Sequence, residues 1–438
     1  MRHALSALSV QGPGQIPPIE VFRRRSTAGC FAAAMRIPLF VPLLIACTVG
    51  RAQVITSEDS LNAGLVRADR TTVISGYGEI KVSYDQRLGT GEANLTRNVL
   101  FIGHRFNSRI SFFSEMELEN ARVEGGEAGG ELSMEQLFIK FDLTKDIYLT
   151  GGLFIPRLGI INENHLPTTF AGNDRPFVEQ FIIPSTWREI GLGLYGRSRR
   201  WQGINWSVGL QNGLHAGTFE HGSGIREGRG EGTHASAANI GLSGALLYYV
   251  DKFRFQGSAY YGGAAGLTQR DADSLQLDYG LFGTPVRLLE ANAQYLGEKL
   301  RLKVLAAQVD IPDAARINRA YANNTPERMF GAYAEIGCDL WTWLKPSEKR
   351  DLIAFVRFET LDMNAAIPKN GIEDPTLRRT YLVTGLVYAP THGINVKADY
   401  VLRTTGEPNT ALNINPYPQT MPYFTENGFL NIGVAYSF

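Results

Sequence analysis

The chain has 438 residues, 43 basic and 43 acidic side chains, a mean hydropathy of −0.12, 47 glycines and 11% aromatic residues. It is too polar for a bundle of transmembrane helices, and beyond the N-terminal region no apolar run of about 18 residues occurs to build one. The charge balance argues against a nucleic-acid partner, while the glycine and aromatic content suits the girdles and tight interior of a β-barrel.

In chain order, Met35 to Ala52 reads as a secretory signal. Arg36 precedes an apolar stretch from Ile37 to Val49, with Gly50 and Ala52 as small cleavage-site residues and a mature start near Gln53. Residues 1–34 carry no strand pattern and read as an upstream extension before a start at Met35; Arg23 to Arg25 as an extended basic region is the alternative. A lipoprotein site at Cys47 is disfavoured by Ile45. Without residues 1–52 there remain 37 basic and 42 acidic residues, a net charge of −5, and Cys338 as the single cysteine, so no intrachain disulfide can form. Residues 53–72 are a short periplasmic segment, too brief to plug a barrel.

From residue 73 to 438, stretches of about ten residues alternate apolar with polar, as a membrane-crossing barrel strand requires. They are 73–85, 95–106, 109–121, 132–142, 147–155, 187–197, 204–215, 239–250, 253–262, 286–296, 299–308, 328–340, 351–361, 378–389, 393–404 and 427–438. Connections after even strands are short, such as Asn107-Ser108 and Asp251-Lys252, and those after odd strands are long, such as 156–186 and 216–238. This parity predicts an all-β, transmembrane antiparallel β-barrel of about 16 strands, with short periplasmic turns and long extracellular loops. Trp201, Trp206, Phe253, Trp341 and Trp343 fall near the short turns, where an aromatic girdle belongs.

Alternation sends Ile74, Ile80, Val82, Met116, Leu302, Val304, Val396 and Cys338 outward to lipid. It sends Glu79, Lys81, Arg109, Glu115, Glu117, Glu119, Lys299, Arg301, Lys303, Lys397, Asp399 and Arg403 inward. A charge facing lipid at mid-membrane costs roughly 2–4 kcal/mol, so these residues predict a wet, pore-lining wall. Sixteen strands leave room for an aqueous channel. The expected function is passive diffusion of small hydrophilic solutes or ions, with no cofactor, no metal and no catalysis.

The closing stretch LNIGVAYSF places Leu430, Ile432, Val434, Tyr436 and Phe438 on one face. It resembles the last strand of bacterial outer-membrane barrels, which implies that Tyr436 and Phe438 are read by the barrel-assembly machinery. It must also pair with 73–85, because an open edge cannot persist in a bilayer. GYGEIKVSYDQ (Gly76 to Gln86), FIGHRFNSRISFFSEMELENA (Phe101 to Ala121) and GGLFIPRLGIINENH (Gly151 to His165), together with that strand, resemble the phosphate-selective porin O and P family. The resemblance implies a channel in the outer membrane, a homotrimer, and one loop folded inward as a constriction. Residues 156–186 stand where that loop would be, and offer Arg157, Asn162, Glu163, His165, Asp174, Arg175 and Glu179.

Phosphate preference does not follow from these residues. The loop contains no lysine, and its charges are of both signs. Strand 11 is basic and strand 3 acidic, and eight strands apart in sixteen places them on opposite walls. That arrangement predicts either a transverse field across the pore or charges that merely pair with their neighbours. Glu115, Glu117 and Glu119 at i, i+2, i+4 read as a lumen ladder rather than catalytic acids. His215, His221 and His234 match no metal-ligand spacing. A lipid-modifying enzyme lacks a discernible Ser–His pair. A non-channel adhesin or structural barrel presenting its long loops is the rival class.

Overall fold

The computed structural model describes residues 71–120, 131–232, 235, 237–344, 350–412 and 423–438. The signal, the upstream extension and nearly all of the short periplasmic segment lie outside the described residues, as does His234. The strands are β1 (Thr72–Asp85), β2 (Thr90–Arg105), β3 (Ile110–Glu119), β4 (Glu131–Asp142), β5 (Ile147–Phe154), β6 (Glu189–Arg197), β7 (Ile204–Asn212) and β8 (Ile240–Val250). They continue as β9 (Phe253–Gly263), β10 (Pro285–Leu296), β11 (Leu300–Asp310), β12 (Arg328–Asp339), β13 (Asp351–Ala366), β14 (Arg378–Thr391), β15 (Ile394–Thr405) and β16 (Glu426–Ser437). Each is antiparallel to its sequence neighbours, and β16 pairs with β1 from Tyr77↔Ser437 to Asp85↔Phe429, closing the barrel.

Closure removes the unpaired edge that a bilayer does not tolerate. Leu430, Ile432 and Val434 are exposed on the outer face, while Asn431, Gly433 and Ala435 are buried inside. Ile80, Val82, Leu302, Val304 and Ile336 are exposed in the same way, and Cys338 shares their face. Trp201, Phe253 and Trp343 are exposed beside the short turns.

One connection departs from the expected parity. The sequence reading began strand 2 at residue 95, but β1 and β2 remain paired to Asp85↔Thr90, so only four residues join them. The Asp85 carboxylate accepts from the Arg87 and Leu88 amides at 2.9 Å each, and Gly89 supplies a φ of +67°. Residues 90–94 are exposed on both faces, so they carry no alternation from which a strand could be read.

The interior is not uniformly wet. Inward residues of β9 to β15 on the side of the long loops are apolar: Tyr260, Val286, Leu288, Leu305, Val309, Met329, Tyr333, Leu361, Met363, Tyr381 and Val401 are buried. They form one cluster with Leu158, Val178, Ile182 and Ile183 of the β5–β6 connection, with Phe219 and Ile225 of the β7–β8 connection, and with Ala314 and Ile317. The charged lining expected from alternation is thus joined, toward the long loops, by an apolar one that alternation did not indicate. Burying apolar surface is worth roughly 25 cal/mol per Å², and this half of the barrel uses it to seat loops inside.

Candidate functional site in the barrel interior

The connection between β5 and β6, residues 155–188, runs through the inside of the barrel and is held by side chains of many strands. On β15, Lys397 donates from Nζ to the carbonyls of Pro167 (2.6 Å) and Gly172 (2.9 Å), and its ammonium lies 4.1 Å from the Phe170 ring centre. Asp399 accepts from the Asn173 amide at 2.7 Å and from its Nδ2 at 2.6 Å. Lys81 on β1 pairs with Asp174 at 2.6 Å. Across the barrel, Arg254 on β9 pairs with Glu163, and Gln256 donates to the Gly159 carbonyl at 3.1 Å.

A one-turn helix in this connection, α1 (Phe177–Phe181), docks on β12 and β13. The Val178 amide donates to Glu359 at 2.9 Å, and the Tyr333 hydroxyl donates to Glu179 at 2.7 Å. The helix needs a bare strand surface. A Cβ added at Gly331 would lie 2.9 Å from both Val178 and Ile182 side-chain carbons. On β16 a Cβ at Gly433 would run into Asn173 Oδ1. The small inward residues of the last strand therefore make room for the loop.

The residues expected in the pore separate into three groups. Glu79, Lys81, Glu115, Glu117, Glu119, Arg301, Lys303, Lys397, Asp399 and Arg403 sit on the inner face of their strands. Arg109 and Lys299 do not: both are exposed in short turns just before β3 and β11, and Lys299 lies 4.8 Å from the Trp343 ring. Alternation was extended one residue past the strand in each case. Arg157, Asn162, Glu163, His165, Arg175 and Glu179 are buried in the inward-folded connection, with Asp174 partly exposed beside them.

The two walls do not face each other as free charges. Arg301 pairs with Asp351 at 3.0 Å and Lys303 with Glu335 at 3.5 Å, both on strands next to or near β11. Glu117 lies 3.4 Å from both Arg97 and Arg188. Arg301, Lys303 and Glu117 are thus paired with near neighbours rather than with the opposite wall. Sequence reasoning missed Arg97, Glu135, Arg357 and Glu359. Alternation along β13 sends Arg357 and Glu359 inward and could have found them.

Two charged cavities flank the connection. One of about 320 Å³ lies toward the long loops and is lined by Glu79, Arg97, Glu119, Arg175, Arg188 and Arg229. The other, about 430 Å³, lies toward the short turns between Thr168, Asn395, Arg301, Lys303, Glu335 and Asp351.

Burial pushes the Glu179 carboxyl up to about 7, against the opposing pull of hydrogen bonds from the Ile161 amide and the Tyr333 hydroxyl. Its folded value is above its free value, so the stability it contributes is complete below the free carboxylate range and is lost as pH rises through 7. Docking of the connection should weaken by up to about tenfold per pH unit across that window. Hydrogen exchange at the Ile160 and Val178 amides will show this, and Glu179→Gln should flatten the profile. A wild-type profile already flat between pH 5 and 7 would contradict it.

No family model matches the chain. It is 29% identical over 341 residues to an uncharacterised protein of Aquifex aeolicus, covering 75% of this chain and 74% of that one. Among solved structures, the anion-selective porin from Comamonas acidovorans aligns with a TM-score of 0.50 at 9% identity, over 84% of this chain and 99% of that one. The outer membrane channel DcaP of Acinetobacter baumannii aligns with a TM-score of 0.50 at 10% identity, over 84% and 97%. At such identities the likeness is one of fold. The chain has the closed antiparallel barrel of the outer-membrane porins.

Proposed function

We propose that this chain is an outer-membrane porin, a passage for small hydrophilic solutes or ions narrowed by the loop at 156–186. The observation that carries this reading is that loop's course. It crosses the interior from Arg254 on β9 to Asp399 on β15, with a charged cavity on either side. Arg175 supports it further: the side chain is buried against the outer cavity, and its Nε and Nη2 make no hydrogen bond. Both atoms are closed off from solvent, so Arg175 bears on passage through the charge it places in the cavity wall rather than through these donors.

Because Arg301, Lys303 and Glu117 are locally paired, ion preference should be weak. Purified protein in a planar bilayer should give a stable conductance and a reversal potential near zero across a salt gradient. Replacing Lys299, Arg301 and Lys303 together by Gln should leave that potential nearly unchanged. A strong anion preference abolished by the triple replacement would overturn the mixed-pore reading. An intact barrel with no conductance would favour the adhesin class.

The terminal strand is proposed as the element read by the barrel-assembly machinery, through Tyr436 and Phe438. Deleting 430–438 also removes the β16 partners of Tyr77 to Tyr84. Membrane insertion, followed by heat-modifiable electrophoretic mobility, should be lost. Insertion of the truncated chain at wild-type levels would refute this. Homotrimer formation rests on family resemblance, and the mass of the detergent-solubilised protein tests it; a monomeric mass would exclude the trimer under those conditions.

A further inference from the structure

The inner wall at β3 and β4 carries a second kind of site. Glu115, Glu135 and His165 are all buried, and one donor atom from each lies within 4.8 Å of the others. The β3–β4 ladder pairs Glu115 with Gln136 and Met116 with Met134, so Glu135 is the extra residue of a bulge. A bulge turns two consecutive side chains to one face, and Glu135 and Gln136 are both buried. His165 comes from the inward-folded loop.

Two carboxylates are buried here with few cations in contact, although Arg175 and Arg97 also act on Glu135 from beyond ion-pair distance. Arg97 is engaged with Glu79 at 2.8 Å and Glu117 at 3.4 Å. Among the described residues, His165 is the only cation-capable group within ion-pair distance of Glu115 or Glu135. Its Nε2 stands 3.4 Å from Glu115 Oε2 and 3.8 Å from Glu135 Oε2, yet neither ring nitrogen makes a hydrogen bond, and Glu115 Oε1 is also without a partner. Donor atoms bound to one zinc at about 2.0–2.2 Å in a tetrahedron are spaced by roughly 3.4 Å. The His165–Glu115 distance equals that spacing and the His165–Glu135 distance exceeds it slightly, so with donor atoms spread over as much as 4.8 Å the three side chains must draw together around an ion.

We propose that Glu115, Glu135 and His165 bind one divalent first-row transition-metal ion, of which Zn²⁺ is the type, and that the ion braces the loop to the barrel wall. Two carboxylates neutralise the ion, a neutral imidazole suits its borderline character, and a fourth position remains for water. Outer hydrogen bonds already orient the carboxylates. Glu135 accepts from the Tyr77 hydroxyl (2.5 Å) and Thr186 Oγ1 (2.8 Å), and Glu115 accepts from Gln136 Nε2 (2.8 Å). Because two ligands come from the wall and one from the loop, occupancy fixes the loop in place. The effect on conductance depends on the channel reading above; metal binding does not.

Calorimetric titration of the purified, detergent-solubilised barrel with Zn²⁺ should show one site per chain. His165→Ala and Glu115→Gln should each abolish it, and Gln136→Ala, which removes an orienting hydrogen bond, should weaken it by about 10–100-fold. His221→Ala, on the exposed outer loops, should bind as wild type. Folding of each variant is checked by heat-modifiable mobility. Zn²⁺ should also slow hydrogen exchange across 160–170 in the wild type and leave it unchanged in His165→Ala. Wild-type protein that binds no zinc, or folded His165→Ala and Glu115→Gln that bind it undiminished, would overturn the proposal and leave His165 an ion-pair partner only. Zinc binding in a barrel that conducts nothing would uphold the site and refute the channel.

Discussion

Replacing Lys397 by methionine is expected to release the loop at 155–188 from β15 and to raise single-channel conductance with added open-state noise. Lys397 is 2% exposed, and its ammonium satisfies two loop carbonyls, those of Pro167 and Gly172. Methionine fills the space of the aliphatic stem but donates nothing. Each buried carbonyl left unpaired costs about 1–3 kcal/mol, and each 1.4 kcal/mol is about tenfold in an equilibrium. Docking at this edge should therefore fall by at least about tenfold. The barrel itself should persist, because β15 keeps its ladders to β14 and β16. Hydrogen exchange of 167–173, measured beside conductance, separates the two effects. Wild-type exchange and wild-type conductance together would show that Lys397 is not what holds the loop.

This residue also shows how far the sequence could be read. Lys397 and Asp399 were legible as inward because β15 obeys strict alternation between lipid and lumen. What each one meets was not legible. Alternation assigns a face, whereas the partners of Lys397 are backbone carbonyls more than 220 residues away. Glu135 shows a deeper limit. In Ser133-Met134-Glu135-Gln136-Leu137 a strict period of two would send Glu135 and Gln136 to opposite faces; the bulge sends both inward. No local residue pattern announces that bulge. The apolar half of the interior was missed for another reason. Leu305 stands between Val304 and Ala306, so the two faces look alike in sequence there, while Val286, Leu288 and Val309 face inward beside the outward polar residues Arg287, Gln308 and Asp310, the reverse of the apolar-out pattern. Only the loop packed inside explains them.

The greatest loss of stability is expected at Arg357, the centre of the buried charge network beneath that loop. It is fully buried; Nε donates to Glu359 at 2.7 Å, Nη1 to Glu335 at 3.2 Å and Nη2 to the Asp174 carbonyl at 3.3 Å. Arg357→Met leaves Glu359 buried, with the Val178 amide but no cation within ion-pair distance among the described residues. Removing one partner of a buried pair costs about 3–5 kcal/mol, because the remaining charge is uncompensated. The same reasoning predicts rescue. In Arg357→Met/Glu359→Gln the stranded charge is gone, while Glu335 keeps Lys303 at 3.5 Å, so most of the loss should be recovered. Urea unfolding followed by heat-modifiable mobility provides the measurement. A double variant no more stable than Arg357→Met would mean that the single replacement acts by freeing Asp174 and the loop rather than by stranding a carboxylate. The two outcomes differ in kind: the first makes the pair a requirement of the barrel wall, and the second makes Arg357, like Lys397, a clamp on the loop that crosses it.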